Sequence, residues 1–258
     1  HLLRQHIALV GTRKPSEEGL SVCADLVQSI ATSGRKNRLS IVSGLARGID
    51  AQAHRTSLSE GICTLAILGN PPQYIYPPEH FDLADKIVNN GGLLVTEFLP
   101  DEISRPYHFA QRNRVIAGMS RLTIVVESAQ KGGALITARR AYEENRDVFA
   151  VPGRCSDTSS LGCNYLIAQN IAQLIEDPHT FWSSYVSRMQ YGIKEDSTLL
   201  SVESQAVLDH IAQCGKVSLE AMVNTFGSSF PVCETLLELE TARIVSFHKG
   251  GYYSIHAL

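Results

Sequence analysis

The sequence predicts an α/β protein with a doubly wound, mostly parallel, extended Rossmann-like sheet, followed by a small winged-helix domain. Two observations predict the sheet. Short apolar runs alternate with helical patterns of 10 to 18 residues, and the runs are apolar on both faces. Such strands, each followed by a helix, are typical of a parallel sheet that is covered on both sides. A third observation predicts the second domain, because the alternation stops after Trp182.

Each predicted strand is a short apolar run, and all but the last precede a stretch with helical periodicity. Right-handed crossovers between such strands gather the loops at the carboxyl ends of the strands. In chain order, the predicted strands and helices are 6–11 with 17–34, 39–44 with 49–61, 62–69 with 81–91, 92–98 with 109–120, 121–128 with 133–147, and a last strand at 148–153.

In the C-terminal part, the sequence pattern predicts helices at 202–213, 218–226 and 231–242 and a β-hairpin at 243–255. Three helices and a hairpin within about sixty residues are typical of a winged helix-turn-helix. The stretch that precedes them is polar and aperiodic. We therefore expect a Rossmann-like domain over 1–185, a linker over 186–198 and a winged-helix domain over 199–258.

Charge is distributed unevenly along this chain of 258 residues, whose net charge is −3. Residues 1–150 hold 17 Lys and Arg against 15 Asp and Glu, whereas residues 151–258 hold 6 against 11. The third predicted helix of the winged-helix domain is acidic, and binding to DNA phosphates depends on Lys and Arg. We therefore expect a polyanion to bind the N-terminal domain, and we expect the C-terminal domain to contact protein.

Three predicted strand ends combine glycine with a cation: GTRK at 11–14, SGLARG at 43–48 and KGG at 131–133. Glycines let backbone amides approach an anion, and a helix N-terminus adds partial positive charge. Because the three loops converge at one sheet edge, they predict a site for a polyanion longer than a single phosphate. Arg47 and Lys131 have no nearby acid in the sequence except Asp50, which favours phosphate contact for both.

No cofactor and no metal are expected. A dinucleotide site needs G-x-G-x-x-G and an acid at the end of the next strand, but the loop has only Gly44 and Gly48, and the next strand ends at Gly69-Asn70. The P-loop motif is also missing. The six cysteines form no C-x-x-C pair and are interpreted as buried thiols in a reducing cytoplasm. The sequence predicts neither a membrane span nor a signal peptide.

A non-catalytic protein is also expected, since no Ser-His-Asp or Cys-His spacing suggests a nucleophile. His54 is interpreted as a helix-face residue and Asp50 as a capping-type residue. Glu97 and Glu127 end strands, where catalytic acids can lie, but strand-end acids also commonly bond loop amides, which is the favoured interpretation.

Five stretches resemble the DprA/Smf family (DNA processing protein A). They cover most of residues 7–175 in the order and spacing of that family: ALVGTRKPSEEG, SIVSGLARGIDAQAHRTSL, RNRVIAGMSRLTIVVES, KGGALITARRAYEENRDVFAVPG and LGCNYLIAQN. The resemblance implies a cytoplasmic protein of natural transformation that binds and protects incoming single-stranded DNA. It also implies a homodimer, formed through the Rossmann-like domain, that loads the recombinase RecA onto that DNA.

The resemblance further implies that Arg47 and Lys131 contact phosphates, in a pocket shared with several residues of the same two loops. For Arg112 and Arg114, DNA contact and ion pairing are equally favoured. The full set of expected DNA-binding residues is Arg13, Ser43, Gly44, Arg47, Arg112, Asn113, Arg114, Lys131, Gly132, Gly133 and Thr137.

Two departures from the family pattern are notable. The family usually has Ser-Gly-Ser or Ser-Gly-Ala where this chain has KGGA at 131–134. The frequent N-terminal helical domain of the family does not precede the first strand in this sequence. An enzyme of the lysine-decarboxylase-like group is the alternative, since KGGALIT partly matches its PGGxGT loop. That group needs an acid on the next turn, where this chain has Ala138-Arg139-Arg140, so the DNA-binding protein is favoured.

Overall fold

The structure is a computed structural model that describes residues 4–33, 38–186, 202–227, 230–241, 244–248 and 251–255. The chain divides into two compact units, His1–Ser184 and Tyr185–Leu258. Residues 187–201 lie outside the described residues, and almost all of the predicted linker lies with them. The linker and the predicted domain boundaries therefore stay predictions.

In the first unit, strands and helices alternate along the chain. The strands are β1 (Gln5–Val10), β2 (Leu39–Ser43), β3 (Cys63–Ile67), β4 (Leu93–Val95), β5 (Leu122–Val125), β6 (Asp147–Ala150) and β7 (Gln173–Leu174). The helices are α1 (Glu17–Thr32), α2 (Ile49–Ser59), α3 (Phe81–Asn89), α4 (Pro106–Gln111), α5 (Asn113–Met119), α6 (Ala134–Glu143), α7 (Leu161–Ala168) and α8 at 181–186.

The seven strands form one sheet in the order β4-β3-β2-β1-β5-β6-β7, and every neighbouring pair is parallel. The predicted α/β fold is therefore confirmed. The sequence analysis missed β7, whose two exposed residues are too few to leave a hydrophobic pattern. The chain fills one side of β1 from β2 to β4 and then returns to place β5 on the other side. This reversal makes the carboxyl ends of β1 and β5 the switch point, where open α/β sheets bind their ligands.

Burial explains why the strands are apolar runs. Every residue of β2, β3 and β5 is buried, as expected for strands with helices on both faces. Helix α1 begins after Ser16, whose hydroxyl accepts the amide of Gly19 at 3.0 Å. Two glutamates in the first turn complement the positive end of the helix dipole.

The single helix predicted at 109–120 is wrong in detail, because the structure has α4 and α5 with Arg112 between them. Helix α4 begins earlier, at Pro106, a residue suited to the first helical position because it has no amide to leave unsatisfied. At the junction the Val115 amide bonds the Arg112 carbonyl at 2.8 Å, a tight three-residue turn. The junction lets Arg112 extend its side chain inward.

The second unit contains α9 (Val202–Cys214), β8 (Val217–Ser218), α10 (Leu219–Phe226), α11 (Val232–Thr241), β9 (Val245–His248) and β10 (Tyr252–Ile255). Its antiparallel sheet has the order β8-β10-β9, so the three predicted helices and the two predicted strands are confirmed. The two-residue strand β8 was missed. The core consists of apolar residues from all three helices, including Val207, Ile211, Met222, Leu236 and Leu239. The winged-helix assignment stays a prediction.

Candidate functional site

A cleft of about 520 Å³ opens at the switch point, and we call it the switch-point cleft. Its walls come from the loop after β1, the α4–α5 junction and the start of α6. Six of the predicted DNA-binding residues line it: Arg13, Arg112, Asn113, Gly132, Gly133 and Thr137. Side chains that are distant in sequence are thus brought together at the ends of β1 and β5, as the convergence of the loops predicted.

Positive charge dominates the open part of this region. Arg13 and Lys14 line the cleft and are exposed, and Arg105 lines an adjoining pocket beside Arg13. Within the described residues, none of these three side chains pairs with a carboxylate. Helix α6 begins at the cleft with no acidic residue in its first turn, so its dipole adds to the positive potential. The arrangement suits a ligand with several negative charges.

Arg112 lines the cleft, but its side chain is buried and bonds backbone carbonyls of the protein. It is 4% exposed, and its Nη1 donates to the carbonyl of Gly44 at 2.7 Å and to that of Ile67. These carbonyls lie at the ends of β2 and β3, so one guanidinium joins two strand ends. Burial lowers the pKa of Arg112 to about 10, and Asp50 opposes that shift. The side chain remains a cation at neutral pH.

The buried side chain of Asp50 holds the loop after β2 through hydrogen bonds to two of its amides. Its Oδ2 accepts the amide of Gly44 at 3.0 Å and that of Ala46 at 3.4 Å. Burial raises the pKa of Asp50, and the charge of Arg112 is the largest influence in the opposite direction. The predicted capping-type role is wrong, because α2 has no side-chain cap and Asp50 instead bonds amides of the loop that precedes the helix.

Gly44 is required by the buried arginine. A Cβ atom at position 44 would lie 2.6–2.7 Å from the guanidinium atoms of Arg112. Any side chain there would displace the group that joins β2 and β3. Gly44, which was expected to make room for a phosphate, therefore makes room for the side chain of Arg112.

Arg47 lies beside the switch-point cleft, in a narrow hollow that also includes Gly44 and Arg13. The expectation that it has no acid to pair with is wrong. Its Nε bonds Glu79 at 2.5 Å, and both side chains are about half exposed. Hydrogen bonding to Arg47 lowers the pKa of Glu79, so the pair is charged. Glu79 lies 32 residues away, beyond any pattern of local spacing.

Ser43 and Arg114 are placed differently from the prediction. Ser43 is fully buried, and its hydroxyl donates to the Leu9 carbonyl at 2.6 Å, because the residue still belongs to β2. The expectation that it lines the pocket is therefore wrong for its side chain. Arg114 is exposed and bonds Glu97 at 2.6 Å, the ion-pair alternative left open above. Neither residue lines the switch-point cleft.

The glycine loop before α6 forms a second wall. Gly132 and Gly133 line the cleft, whereas Lys131 is exposed directly before them and does not line it. A Cβ atom on Gly132 would clash with the Ser128 hydroxyl unless that side chain rotated. The side chain of Asn113 donates to the Gly133 carbonyl at 3.3 Å and ties α5 to this loop.

The candidate catalytic groups have structural partners. His54 is fully buried, its Nδ1 lies 2.7 Å from the Thr64 hydroxyl, and burial lowers its pKa to about 3. Glu127 accepts the amide of Ser16 at 2.9 Å at the start of α1, the strand-end role that was favoured. In the part of the chain that the structure describes, no group of His, Cys, Asp or Glu could hold a metal ion. No helix there is long and apolar enough to cross a membrane.

Two cations of this region, Lys14 and Arg105, are not among the DNA-binding residues expected from the sequence. Lys14 follows Arg13 directly, so the charge of the GTRK loop was a usable signal. Arg105 directly precedes the first residue of α4. The sequence placed the start of that helix at 109, so it did not place Arg105 at the helix N-terminus. Phe109, an aromatic residue that the sequence offers for base stacking, also lines the cleft. Ile136 lines it too and carried no signal, since an apolar residue on a helix is most simply a core residue.

The fold and the cleft define a class: a Rossmann-like α/β protein with a cation-lined cleft at its switch point. The profile of the family described as DNA recombination-mediator protein A matches residues 1–186. The chain therefore belongs to that family, and the DprA/Smf resemblance is confirmed.

Individual relatives support the assignment to this family. Protein Smf of Escherichia coli is 34% identical over 258 residues, which span 95% of this chain and 67% of that protein. The DNA processing protein DprA of Streptococcus pneumoniae is 42% identical over 163 residues, 63% of this chain and 56% of the relative. A structure that concerns the single-stranded DNA binding mode of DNA processing protein A from Helicobacter pylori matches with a TM-score of 0.64 at 26% identity, covering 72% and 82% of the two chains. The chain thus spans little more than half of the Streptococcus relative.

Proposed function

We propose that this protein binds single-stranded DNA in the switch-point cleft and acts as a recombination mediator without catalysing a reaction. The observation that carries the proposal is the group of exposed cations, Arg13, Lys14 and Arg105, which have no carboxylate partner within the described residues. Affinity for nucleic acids comes mainly from such cations, which neutralise phosphates and release counterions. A cofactor plays no part in this function.

Phosphates of the strand would lie along the cleft between two kinds of donor. Arg13 and Lys14 supply charge from one wall, and the start of α6 with Gly132 and Gly133 supplies backbone polarity from the other. Lys131 would reach the strand from the end of its glycine loop. Arg112, already bonded to two carbonyls, stabilises the ends of β2 and β3 and adds its positive charge to the cleft from a buried position.

The wider role that we propose follows from the family. Its description as a recombination mediator and the printed subject of the Helicobacter pylori structure support single-stranded DNA as the ligand. We propose that the protein acts in the cytoplasm during natural transformation, as a homodimer formed through the first unit. It would protect incoming strands and deliver them to RecA. The acidic helix α11 favours a protein contact for the second unit, a winged helix in this proposal.

The Arg47–Glu79 ion pair gives a test with two opposite outcomes. Glu79 bonds the Nε of Arg47 and partly neutralises its charge, so the carboxylate competes with DNA for this arginine. Arg47→Ala is expected to weaken binding of a single-stranded oligonucleotide at least about tenfold, the size of one lost phosphate contact. Glu79→Gln is expected to strengthen binding severalfold, because it releases Arg47. Fluorescence anisotropy titrations at fixed salt measure both changes.

The pair Arg140–Glu143 is a matched control. Its side chains are similarly exposed and it lies on α6, outside the lining of the cleft. Arg140→Ala and Glu143→Gln are expected to leave the dissociation constant nearly unchanged. If Arg47→Ala behaves like Arg140→Ala, the loop after β2 does not contact the DNA.

A further inference from the structure

A second large pocket, of about 720 Å³, lies at the carboxyl ends of β5 and β6, and we call it the α1 pocket. Its walls are the start of α1, residues 126–127 after β5, and the loop at 151–160 after β6. Its volume is within the range of small-molecule sites, about 300–1,000 Å³. The described residues that line it and those that line the switch-point cleft have no member in common, so the two are separate sites.

Glu127 brings a buried carboxylate with one unused oxygen to this pocket. The residue lines the pocket and is 4% exposed. Its Oε2 accepts the amide of Ser16 at 2.9 Å and the Ser16 hydroxyl at 3.2 Å, whereas Oε1 has no hydrogen-bond partner among the described residues. A buried acceptor without a partner is costly, so Oε1 calls for a donor from a ligand.

The charge of Glu127 narrows the kind of donor. Within the part of the chain that the structure describes, no Lys, Arg or His forms an ion pair with this carboxylate, although buried charges are usually paired. The positive end of the α1 dipole compensates only part of the charge. The same residues contain no group of His, Cys, Asp and Glu that could hold a metal ion. An organic cation with N–H donors therefore suits Oε1 best.

The rest of the pocket suits an aliphatic amine. Glu18 and Asp157 line it and are exposed, and neither forms an ion pair within the described residues. With Glu127 they make three acids against one cation, Arg154, among the described lining residues. Val22 and the valines that follow β5 and β6 offer apolar surface to methylene groups. Carboxylates beside an apolar wall complement a chain of methylenes that carries several ammonium groups.

We propose that the α1 pocket binds a linear aliphatic polyamine. One ammonium group donates to Oε1 of Glu127, and the methylene chain packs on Val126 and Val151. A second ammonium group pairs with Glu18 or Asp157. This site goes beyond the proposed function, because it lies outside the switch-point cleft and takes a ligand of opposite charge.

Isothermal titration calorimetry of the whole protein, without DNA and at constant ionic strength, tests the proposal. The probes are spermidine, magnesium chloride and butanediol. Spermidine is expected to bind saturably, with one molecule per chain. Magnesium has the charge without N–H donors or methylenes, and butanediol has the chain without the charge. We expect neither of them to saturate the protein in the concentration range in which spermidine does.

Glu127→Gln assigns the binding to the pocket. The glutamine carbonyl can still accept the Ser16 amide, while its amide nitrogen takes the place of Oε1 and turns an acceptor into a donor. We expect the affinity for spermidine to fall at least about tenfold, the usual size of a lost hydrogen bond to a charged group. Glu143→Gln is the matched control, because it removes an equal charge from an exposed position on α6 outside the pocket. This control should keep the full affinity.

A double variant, Glu18→Gln with Asp157→Asn, keeps the test decisive if Glu127→Gln does not fold. Both side chains are exposed, and we expect their loss of charge to weaken spermidine binding severalfold. Unchanged affinity in the folded variants of the pocket, or an equal loss in Glu143→Gln, would overturn the polyamine site. Saturable binding of magnesium that displaces spermidine would overturn it as well. DNA binding in the switch-point cleft would stand in each case, since no DNA enters the measurement.

Discussion

Replacing Arg112 with alanine is expected to lower the free energy of unfolding by about 3 kcal/mol, because two buried carbonyls lose a charged donor. The change leaves Asp50 buried without its neighbouring cation. It also leaves the carbonyls of Gly44 and Ile67 without the donor that joins β2 to β3. Chemical denaturation monitored by circular dichroism measures the difference.

Arg114→Ala is the matched control for stability, because the residue lies two positions further along and forms an exposed ion pair. Such pairs contribute at most about 1 kcal/mol. The double variant Asp50→Asn with Arg112→Met, which removes both charges, is expected to recover part of the loss. Equal stability of the Arg112→Ala and Arg114→Ala variants would contradict a structural role for the buried guanidinium.

Reversing the charge of Arg13 is expected to cause the largest loss of DNA affinity. Arg13 is exposed and lines the switch-point cleft, the hollow around Arg47 and the adjoining pocket that Arg105 also lines. Arg13→Glu removes a phosphate contact and adds repulsion, so affinity for single-stranded DNA is expected to fall by more than about tenfold, with a shallower salt dependence. The exposed side chain leaves the free energy of unfolding nearly unchanged.

Arg55→Glu provides the comparison, since this arginine is exposed on α2 and lines none of the three hollows. Both variants change the net charge equally. Equal losses of affinity would mean that overall charge governs binding, and the cleft would lose its assignment.

The sequence predicted much of this fold because the signals are local. Strands β2, β3 and β5 are buried on both faces, so their apolar runs stand out from the helices that follow. The convergence of the glycine loops was predictable too, since the carboxyl ends of parallel strands meet at one edge. These loops pointed to a polyanion, and the family resemblance narrowed the expectation to single-stranded DNA.

The burial and the bonding partners of individual charged side chains were not predictable, because they depend on contacts between distant segments. Arg112 bonds carbonyls 68 and 45 residues away, and Arg47 bonds Glu79, 32 residues away. In the sequence Arg47 looks like an unpaired cation in a glycine loop, and Arg112 looks like a cation at the start of a helix. Burial turns Arg112 into a structural residue, whereas Arg47 stays exposed and able to exchange its partner.

The central claim is that the switch-point cleft binds the backbone of single-stranded DNA, and its most direct test is the salt dependence of binding. The dissociation constants of the unaltered protein for a single-stranded oligonucleotide and for a duplex of equal length are measured across a range of salt concentrations. We predict tighter binding of the single strand, and a logarithm of its affinity that falls linearly with the logarithm of salt concentration, by about 0.7 for each phosphate contacted. Affinity that is indifferent to salt, or equal for the two forms of DNA, would contradict the claim.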